Sequence, residues 1–337
     1  MKTQPAISMV VIGFNEAGNL HNTFNAIKNM NYPAHLLELI YVDSGSVDNS
    51  IEIAKQYCDK VFIEPEWPTA ARNRNMGLIE CSHPYCHFLD GDIEIDPDYI
   101  QHAVNKLLET DVQVVCGYLE EKSKKGLGKI LLHDYSNRNP GLINAPGAGG
   151  TFLKDALIEI NGWDERIPRG EEMEIGNRLI KSGYKIWYID CKMGIHDFGI
   201  TNLFKYAKKQ INEGMSIGAV TKNPSTDNFY NHIRILANRN ILFHFIVLMI
   251  LTLSIILGNL WIIAGSFLTY LIYLFVKYRI IRKIRNPDTI AYHFLQNLTK
   301  TFELYGYIKF QVRFLKLSGE KKASFFKRMD IKAKMKN

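Results

Sequence analysis

Cysteine is scarce in this chain, and its arrangement excludes several classes of small domain. The sequence has 337 residues and only five cysteines, none of them at the spacing of a metal-binding cluster. A disulfide framework and a cysteine-based zinc domain are therefore excluded, and we expect reduced thiols. The segment before the strand-like run 7–13 is too short for a secretory signal peptide, so we expect none.

Glycine-rich phosphate loops are also missing. No G-x-G-x-x-G follows the first strand-like run, and no G-x-x-x-x-G-K-[ST] occurs in the sequence. Because these motifs mark dinucleotide sites and P-loop nucleotide sites, we expect neither a dinucleotide enzyme nor a P-loop NTPase.

Acidic residues are rare in the second part of the chain. Residues 1–200 contain 28 Asp and Glu against 19 Lys and Arg, whereas residues 201–337 contain 6 against 22. A basic segment fits nucleic acid or an anionic membrane. The acidic half beside it argues against nucleic acid, so we expect no nucleic-acid partner.

Charge of either sign is absent from residues 241–276, which contain no Asp, Glu, Lys or Arg. One helix of this length would be about 54 Å long, against a membrane hydrocarbon core of about 30 Å. Gly258-Asn259 is a turn signal, so we expect a hairpin that spans the membrane or enters one leaflet and returns. Basic residues flank both ends, which places them on the cytoplasmic side. The alternative is a buried hairpin in a soluble core.

The first two hundred residues alternate between strand-like and helix-like patterns. Strand-like runs at 7–12, 39–42, 61–63 and 85–89 are interleaved with helical spacing at 18–30, 69–81 and 98–109. This alternation predicts an α/β domain with a mainly parallel sheet. Ligands of such sheets lie beyond the carboxyl ends of the strands, so the polar residues there are the candidates for a site.

Two carboxylates follow the fourth strand-like run, at Asp90 and Asp92, with Gly91 between them. Side chains at i and i+2 of an extended segment point the same way, so both carboxylates can converge on one point. A divalent cation relieves their repulsion and keeps positions open for substrate phosphates. The alternative interpretation is an acidic turn.

Three further groups of residues each allow two interpretations when they are considered alone. Arg72 and Arg74 begin a helix, where they fit either a pyrophosphate or a solvated helix start. Glu171 and Glu172 begin another, either as a general base or as acids stabilised by the helix dipole. His196 follows a strand-like segment, either as a metal ligand or as a core histidine.

In chain order these segments resemble the family 2 glycosyltransferases, inverting enzymes with a GT-A (Rossmann-like) fold that use nucleotide-sugars. The resemblance covers residues 6–200. It rests on five motifs in order: V-I-G-F-N-E (11–16), V-D-S-G-S-V-D (42–48), R-N-M-G-L (74–78), F-L-D-G-D (88–92), and a last one that runs from N-G-W-D-E (161–165) through G-E-E-M-E (170–174) to K-S-G-Y-K (181–185).

The resemblance implies roles for individual residues. The nucleotide-sugar site would include Phe14, Glu16, Asp43, Arg72, Arg74, Asp90 and Gly91, with Glu16 and Asp43 at the base and ribose and Arg74 at the diphosphate. The metal, Mg²⁺ or Mn²⁺, would be held by Asp90, Asp92 and His196. Glu172 stands at the position of the catalytic base, with Glu171 as second candidate. Two residues depart from the family pattern: Ser44 replaces an Asp, and Glu172 is longer than the usual Asp.

Four segments follow from these patterns: a catalytic domain (1–200), amphipathic interfacial helices (201–240), the membrane hairpin (241–276) and a basic membrane-surface tail (277–337).

We expect a cytoplasm-facing, membrane-anchored enzyme that moves one sugar from a UDP-sugar or similar donor to a lipid-linked or saccharide acceptor in envelope polysaccharide synthesis. Its further partners would be membrane lipids. The Q-x-x-R-W motif of the family's processive synthases is missing, so we expect the addition of one sugar rather than processive synthesis. The alternatives are a polyprenyl-phosphate sugar transferase and a non-catalytic membrane scaffold that keeps the fold.

Overall fold

The computed structural model describes most of the chain, in segments. These are residues 4–65, 69–122, 139–147, 149–167, 170–196, 202–221, 246, 249–250, 252–259, 261–276, 300–319 and 331–335. They fall into two units. The first contains the described residues up to 196 together with 331–335, and the second contains those from 202 to 319.

The apolar runs of the first unit become strands of one sheet. Among the described residues there are nine strands: β1 Ile7–Gly13, β2 Leu37–Asp43, β3 Lys60–Ile63, β4 Tyr85–Asp90, β5 Ile93–Ile95, β6 Val114–Glu121, β7 Gly141–Ile143, β8 Gly150–Leu153 and β9 Ile186–His196. Their order is β3-β2-β1-β4-β8-β6-β9-β5, and β7 also pairs with β9. The strands predicted near residues 7, 39, 61 and 85 are confirmed.

The sheet is mixed, which corrects the prediction of a mainly parallel one. The strands β3, β2, β1 and β4 are parallel, but β8 runs antiparallel to both β4 and β6. Beyond β8, β6 is parallel to β9, whereas β5 and β7 are antiparallel to it. The prediction assumed a crossover helix between successive strands, but only two residues separate β4 from β5, too few for a crossover.

Helices cover both faces of the sheet. The described helices are α1 Ala17–Lys28, α2 Ser50–Ala54, α3 Ala70–Glu80, α4 Tyr99–Glu109, α5 Lys154–Glu159, α6 Glu171–Lys181, α7 Leu203–Thr221, α8 Trp261–Phe275, α9 Lys300–Leu315 and α10 Ile331–Lys334. One core packs α1 and α4 against the sheet through Phe24 and Ile100. The other packs α3, α5 and α6 through residues such as Leu78, Leu157 and Leu179. The first unit is therefore a three-layer α/β structure.

Helix α3 lies close against the sheet, and one glycine makes this possible. A Cβ atom at Gly77 would collide with the side chain of Val10 in β1. At its start, the Thr69 hydroxyl accepts a hydrogen bond from the Arg72 amide at 3.2 Å, so Thr69 caps the helix. Together these contacts fix Arg72 and Arg74 relative to the strand ends.

The last described residues belong to the first unit. Ile331 is buried, and its amide donates to Asn161 Oδ1 at 2.9 Å. Helix α10 thus packs with the α/β unit, whereas the sequence assigned the whole of 277–337 to a membrane-surface tail.

In the second unit, α7 and α9 cross at glycines. A Cβ atom at Gly214 would collide with the carbonyl oxygen of Glu303, and one at Gly306 with that of Ile211. Helix α7 lies in the segment 201–240, where amphipathic helices are predicted; residues 201 and 222–240 lie outside the described residues. Helix α9 lies in the predicted tail 277–337, of which residues 277–299, 320–330 and 336–337 lie outside the described residues.

The membrane-spanning form of the predicted hairpin finds no support in the described part of the chain. No helix there combines the length and the apolar character that crossing a membrane requires. Parts of the predicted segments, namely 222–245, 247–248, 251, 260 and 277–299, lie outside the described residues. The turn at Gly258-Asn259 is present, with Gly258 at a φ of 58°.

A buried histidine makes the stability of the first unit depend on pH. His87 in β4 is fully buried, its Nδ1 lies 3.0 Å from the Thr151 hydroxyl, and burial lowers its pKa to about 3. An unfolded histidine has a pKa of about 6.5, so the unfolded state binds the extra proton first as pH falls. We expect the free energy of unfolding to drop by about 2 kcal/mol at about pH 5 through this group. Chemical denaturation of wild type and His87→Asn at neutral and acid pH checks this, because equal losses in both would exclude His87 as the cause.

Candidate active site

Arg74 joins two of the predicted acidic segments. Its Nη2 lies 2.8 Å from Asp90 Oδ1 and its Nη1 lies 2.8 Å from Glu171 Oε1. Arg74 is only 3% exposed. Burial opposes its charge, but Asp90 and Glu171 outweigh burial and raise its pKa. The structure thus brings the end of β4 and the start of α6 together. The predicted contact between Arg74 and a diphosphate stays a prediction, since both terminal nitrogens already contact carboxylates.

The surroundings of Glu172 favour the protonated form of its carboxyl group. Burial raises its pKa to about 8, the neighbouring Glu171 carboxylate adds to this, and Arg74 opposes it. A carboxyl group that loses its proton near neutral pH is suited to take a proton from an attacking hydroxyl. Burial also raises the pKa of Asp90; the positive charge of Arg74 opposes this, and the negative charge of Asp92 adds to it.

The predicted metal ligands come together only in part. Asp92 Oδ2 lies 3.0 Å from His196 Nε2, so these two residues meet as predicted. Asp90 instead bonds Arg74. Within the described ranges, no three His, Cys, Asp or Glu side chains are grouped closely enough to hold a metal ion.

Asp92 nevertheless offers an oxygen that fits a cation. Its Oδ1 is buried and has no hydrogen-bond partner among the described residues. A free carboxylate oxygen beside an imidazole is a donor set that Mn²⁺ and Mg²⁺ accept, with substrate phosphates in the remaining positions. Gly91 holds the turn, because its amide donates to Ile12 O and its carbonyl accepts from the Thr23 hydroxyl, both at 2.8 Å.

Asp43 organises the loop after β2. Its Oδ1 accepts from the amides of Gly45 and Ser46 at 2.8 and 2.5 Å. Its Oδ2 accepts from the hydroxyls of Tyr41 and Ser46 at 2.8 and 2.7 Å. The side chain is fully buried. Its acceptor positions are therefore filled by protein, and the predicted contact with base and ribose stays a prediction.

The loops after β1 and β2 are tied together and expose two apolar side chains. The Asn15 amide donates to Ser46 Oγ at 2.8 Å, and the Val47 amide donates to Asn15 Oδ1 at 3.0 Å. Asn15 has a φ of 56°, a conformation that Asn adopts more readily than most residues. Phe14 is 53% exposed and Val47 91% exposed. An exposed ring at a strand end offers a surface for stacking a planar base.

Glu16 lies beside the same acidic edge. Burial raises its pKa, the hydrogen bond from Asn19 opposes this, and the charges of Asp92 and Asp90 add to it. This electrostatic coupling places Glu16 near the carboxylates of the D-G-D turn, and its predicted contact with the base and ribose stays a prediction.

Two residues that support the site were missed by the sequence reasoning. Asn75 donates through Nδ2 to Glu165 Oε1 and accepts through Oδ1 from the Trp163 amide, both at 2.8 Å. Glu165 Oε2 lies 3.5 Å from Arg72 Nη1, and Glu64 lies 3.2 Å from Nη2. Asn75 and Glu165 stand inside the R-N-M-G-L and N-G-W-D-E segments, but nothing local indicates that they pair.

Comparison with known proteins finds glycosyltransferases among the relatives of this chain. The model of the family "Glycosyl transferase family 2" matches residues 8–153. Glycosyltransferase AglE of Haloferax volcanii is 25% identical over 225 residues, which cover 62% of this chain and 74% of that protein. Succinoglycan biosynthesis protein ExoA of Rhizobium meliloti is 23% identical over 54% of this chain and 61% of its own length. Several other relatives match over less than half of their own length.

A solved structure shares the fold over nearly the whole chain. The mannosyltransferase PcManGT from Pyrobaculum calidifontis has a TM-score of 0.63 at 15% identity, covering 92% of this chain and 88% of its own. This identity shows the fold alone, and that fold is GT-A-like with a mixed sheet. Residues 8–153 thus match the glycosyl transferase family 2 model, and the protein is a glycosyltransferase.

Proposed function

We propose that the protein transfers one sugar, with inversion, from a nucleotide-sugar to a lipid-linked or saccharide acceptor in cell-envelope or surface polysaccharide synthesis. The proposal rests on the surroundings of Glu172, the candidate base. Its pKa is raised to about 8, and it lies near Arg74, which forms ion pairs with Asp90 and Glu171. The relative named for succinoglycan biosynthesis supports the polysaccharide context. The catalytic unit would work at the cytoplasmic face of a membrane.

The proposed reaction is a single displacement. The Glu172 carboxylate takes the proton of the acceptor hydroxyl, and the hydroxyl oxygen forms a bond to the anomeric carbon. The bond from that carbon to the donor diphosphate breaks at the same time, and its electron pair leaves with the diphosphate. Attack opposite to the leaving group inverts the anomeric centre. No protein nucleophile is required, and proton transfer by a placed base contributes a factor of about 10² to 10⁴.

The negative charge on the departing diphosphate needs stabilisation. Asp92 and His196 are the residues that would hold a divalent cation, which supplies that stabilisation when bound. The structural neighbour PcManGT was solved with GDP-Man and Mn²⁺, which supports testing Mn²⁺ and a range of nucleotide-sugars on this chain.

Donor binding is tested by thermal unfolding with UDP- and GDP-sugars, with and without Mn²⁺. A ligand that binds only the folded state stabilises it by about 2.7 kcal/mol at 100 times its dissociation constant. We expect one donor to raise the unfolding midpoint of wild type in an Mn²⁺-dependent manner. In Asp92→Asn this Mn²⁺ dependence should disappear. Asp98→Asn, which changes a carboxylate in a neighbouring exposed turn, should keep it. A wild type that no nucleotide-sugar stabilises would contradict the proposal.

A further inference from the structure

Helix α10 belongs to the first unit, although it follows the helices of the second unit in the sequence. Ile331, its first residue, is fully buried in the core that also contains Leu78 of α3. Met335, directly after the helix, packs against the same core. The helix contacts both α3 and α5. This short segment therefore reaches the helix that carries Arg72 and Arg74 of the candidate site.

The turn after α5, which we call the 161–163 turn, contacts both α10 and α3. Asn161 and Gly162 have positive φ values of 61° and 60°, so the chain changes direction sharply there. Asn161 Oδ1 accepts a hydrogen bond from the Ile331 amide at 2.9 Å. A Cβ atom at Gly162 would collide with Asn75 Oδ1 and would lie 3.3 Å from Ile331 Cγ1. Only glycine fits at this position, because Ile331 and Asn75 both approach it closely.

Asn75 of α3 binds the 161–163 turn through both ends of its side-chain amide. Its Oδ1 accepts from the Trp163 amide at 2.8 Å, and its Nδ2 donates to the Trp163 carbonyl at 3.0 Å. The same Nδ2 donates to Glu165 Oε1 at 2.8 Å. All three residues are buried. Because breaking these bonds would leave polar groups unpaired in the interior, the position of the turn and the position of α3 are linked.

The two arginines of the candidate site lie on the same helix as Asn75. Arg74, the residue before Asn75, has both of its carboxylate partners at 2.8 Å. Arg72 lies 3.5 Å from Glu165, which Asn75 also binds. Charge-assisted hydrogen bonds need both a short distance and good alignment, so a small displacement of α3 would disturb both arginines.

We propose that Ile331 is a positioning residue of the transferase site. Packed on the 161–163 turn, it holds Asn75, and through Asn75 it fixes the start of α3. Arg72 and Arg74 are thereby kept where they contact their carboxylate partners. The proposal rests on the proposed function and deepens it, because it makes the site depend on a segment 170 residues beyond the turn. Ile331 itself touches neither donor nor acceptor.

Hydrogen exchange of the full-length chain tests the structural step. Ile331→Ala and Ile100→Ala remove the same atoms from two fully buried residues, one in each core of the first unit. In Ile331→Ala we expect the amides of α3 to lose more protection than those of α4, and in Ile100→Ala we expect the reverse. Equal losses in α3 and α4 of Ile331→Ala would overturn the proposal, since Ile331 would then only stabilise the unit as a whole.

Donor kinetics test the functional step, at a temperature where both variants are folded. We expect Ile331→Ala to raise KM for the donor roughly 10-fold, because a misplacement of about 1 Å caused by a distant substitution can cost about 10²-fold. Ile100→Ala should keep the wild-type KM, since a loss of folded protein lowers the measured kcat and leaves KM unchanged. An unchanged KM in Ile331→Ala would overturn the proposal.

A second pair of variants covers the case in which Ile331→Ala does not fold. Asn161→Gly removes the acceptor of the Ile331 amide but tolerates the positive φ, whereas Asn161→Asp keeps an oxygen acceptor. We expect Asn161→Gly to raise the donor KM and to lower the protection of α3, and Asn161→Asp to behave like wild type. Equal behaviour of the two variants would overturn the proposal.

These measurements distinguish failure of this proposal from failure of the proposed function. If no nucleotide-sugar stabilises the wild type and no transfer is measured, the proposed function is wrong. The exchange comparison of Ile331→Ala with Ile100→Ala does not depend on activity, so it still decides whether Ile331 holds α3 in place.

Discussion

Replacing Glu172 with glutamine is expected to lower kcat by about 10² to 10⁴-fold while leaving donor affinity nearly unchanged. Glutamine has the shape of glutamate but cannot accept a proton from the acceptor. The wild-type rate should rise as pH passes through about 8, because burial raises the pKa of Glu172 to that value and only the carboxylate is active. In Glu172→Gln this rise should disappear. Steady-state transfer at saturating donor across the pH range measures both effects.

Glu174→Gln is the matched control on the same helix. Glu174 binds Arg178 through two hydrogen bonds, at 2.5 and 2.6 Å, and takes no part in the proposed chemistry. This variant should lose thermal stability and keep nearly normal kcat. If Glu172→Gln also kept normal kcat, a base would not be required. A polyprenyl-phosphate acceptor, which needs less of a base, would then be favoured over a hydroxyl acceptor.

The strands, and the candidate site residues at their carboxyl ends, could be predicted because the sequence signals for them are local. The apolar run at 7–12 is buried along its whole length in β1, and the D-G-D turn follows β4 as its sequence indicates. The orientation of β8 could not be predicted. It has only four residues and therefore no measurable periodicity, and its direction is fixed by pairing with β4 and β6, which lie far from it in the sequence.

The roles of individual charged side chains were harder to predict than their positions. Asp43 and Arg74 were both expected to face the nucleotide, but the structure surrounds each with protein partners. For Asp43 the partners are within three residues, but their geometry depends on the loop conformation. For Arg74 one partner, Glu171, is 97 residues away. Sequence identifies a charged residue near a site, whereas its partner depends on how distant segments pack.

Arg74 is expected to have the largest effect on stability in the first unit. In Arg74→Met, Asp90 and Glu171 lose the cation that both contact at 2.8 Å. Removing one partner of a buried ion pair leaves an uncompensated charge and typically costs about 3 to 5 kcal/mol. We expect chemical denaturation to show a loss of that order. Lys185→Met removes an exposed lysine that pairs with Asp111, and it should change the free energy of unfolding little.

The pH dependence of transfer then decides what Arg74 does in the reaction. Its positive charge lowers the pKa of Glu172, so its loss should raise that pKa and move the rise in kcat to higher pH. Arg74→Lys keeps the charge and should move the profile less, although an ammonium cannot reproduce the two-sided guanidinium contact. If Arg74 instead binds the diphosphate directly, Arg74→Met should raise KM for the donor and leave the pH profile in place. A shifted profile with unchanged KM makes Arg74 a positioning residue that couples the D-G-D turn to the base on α6.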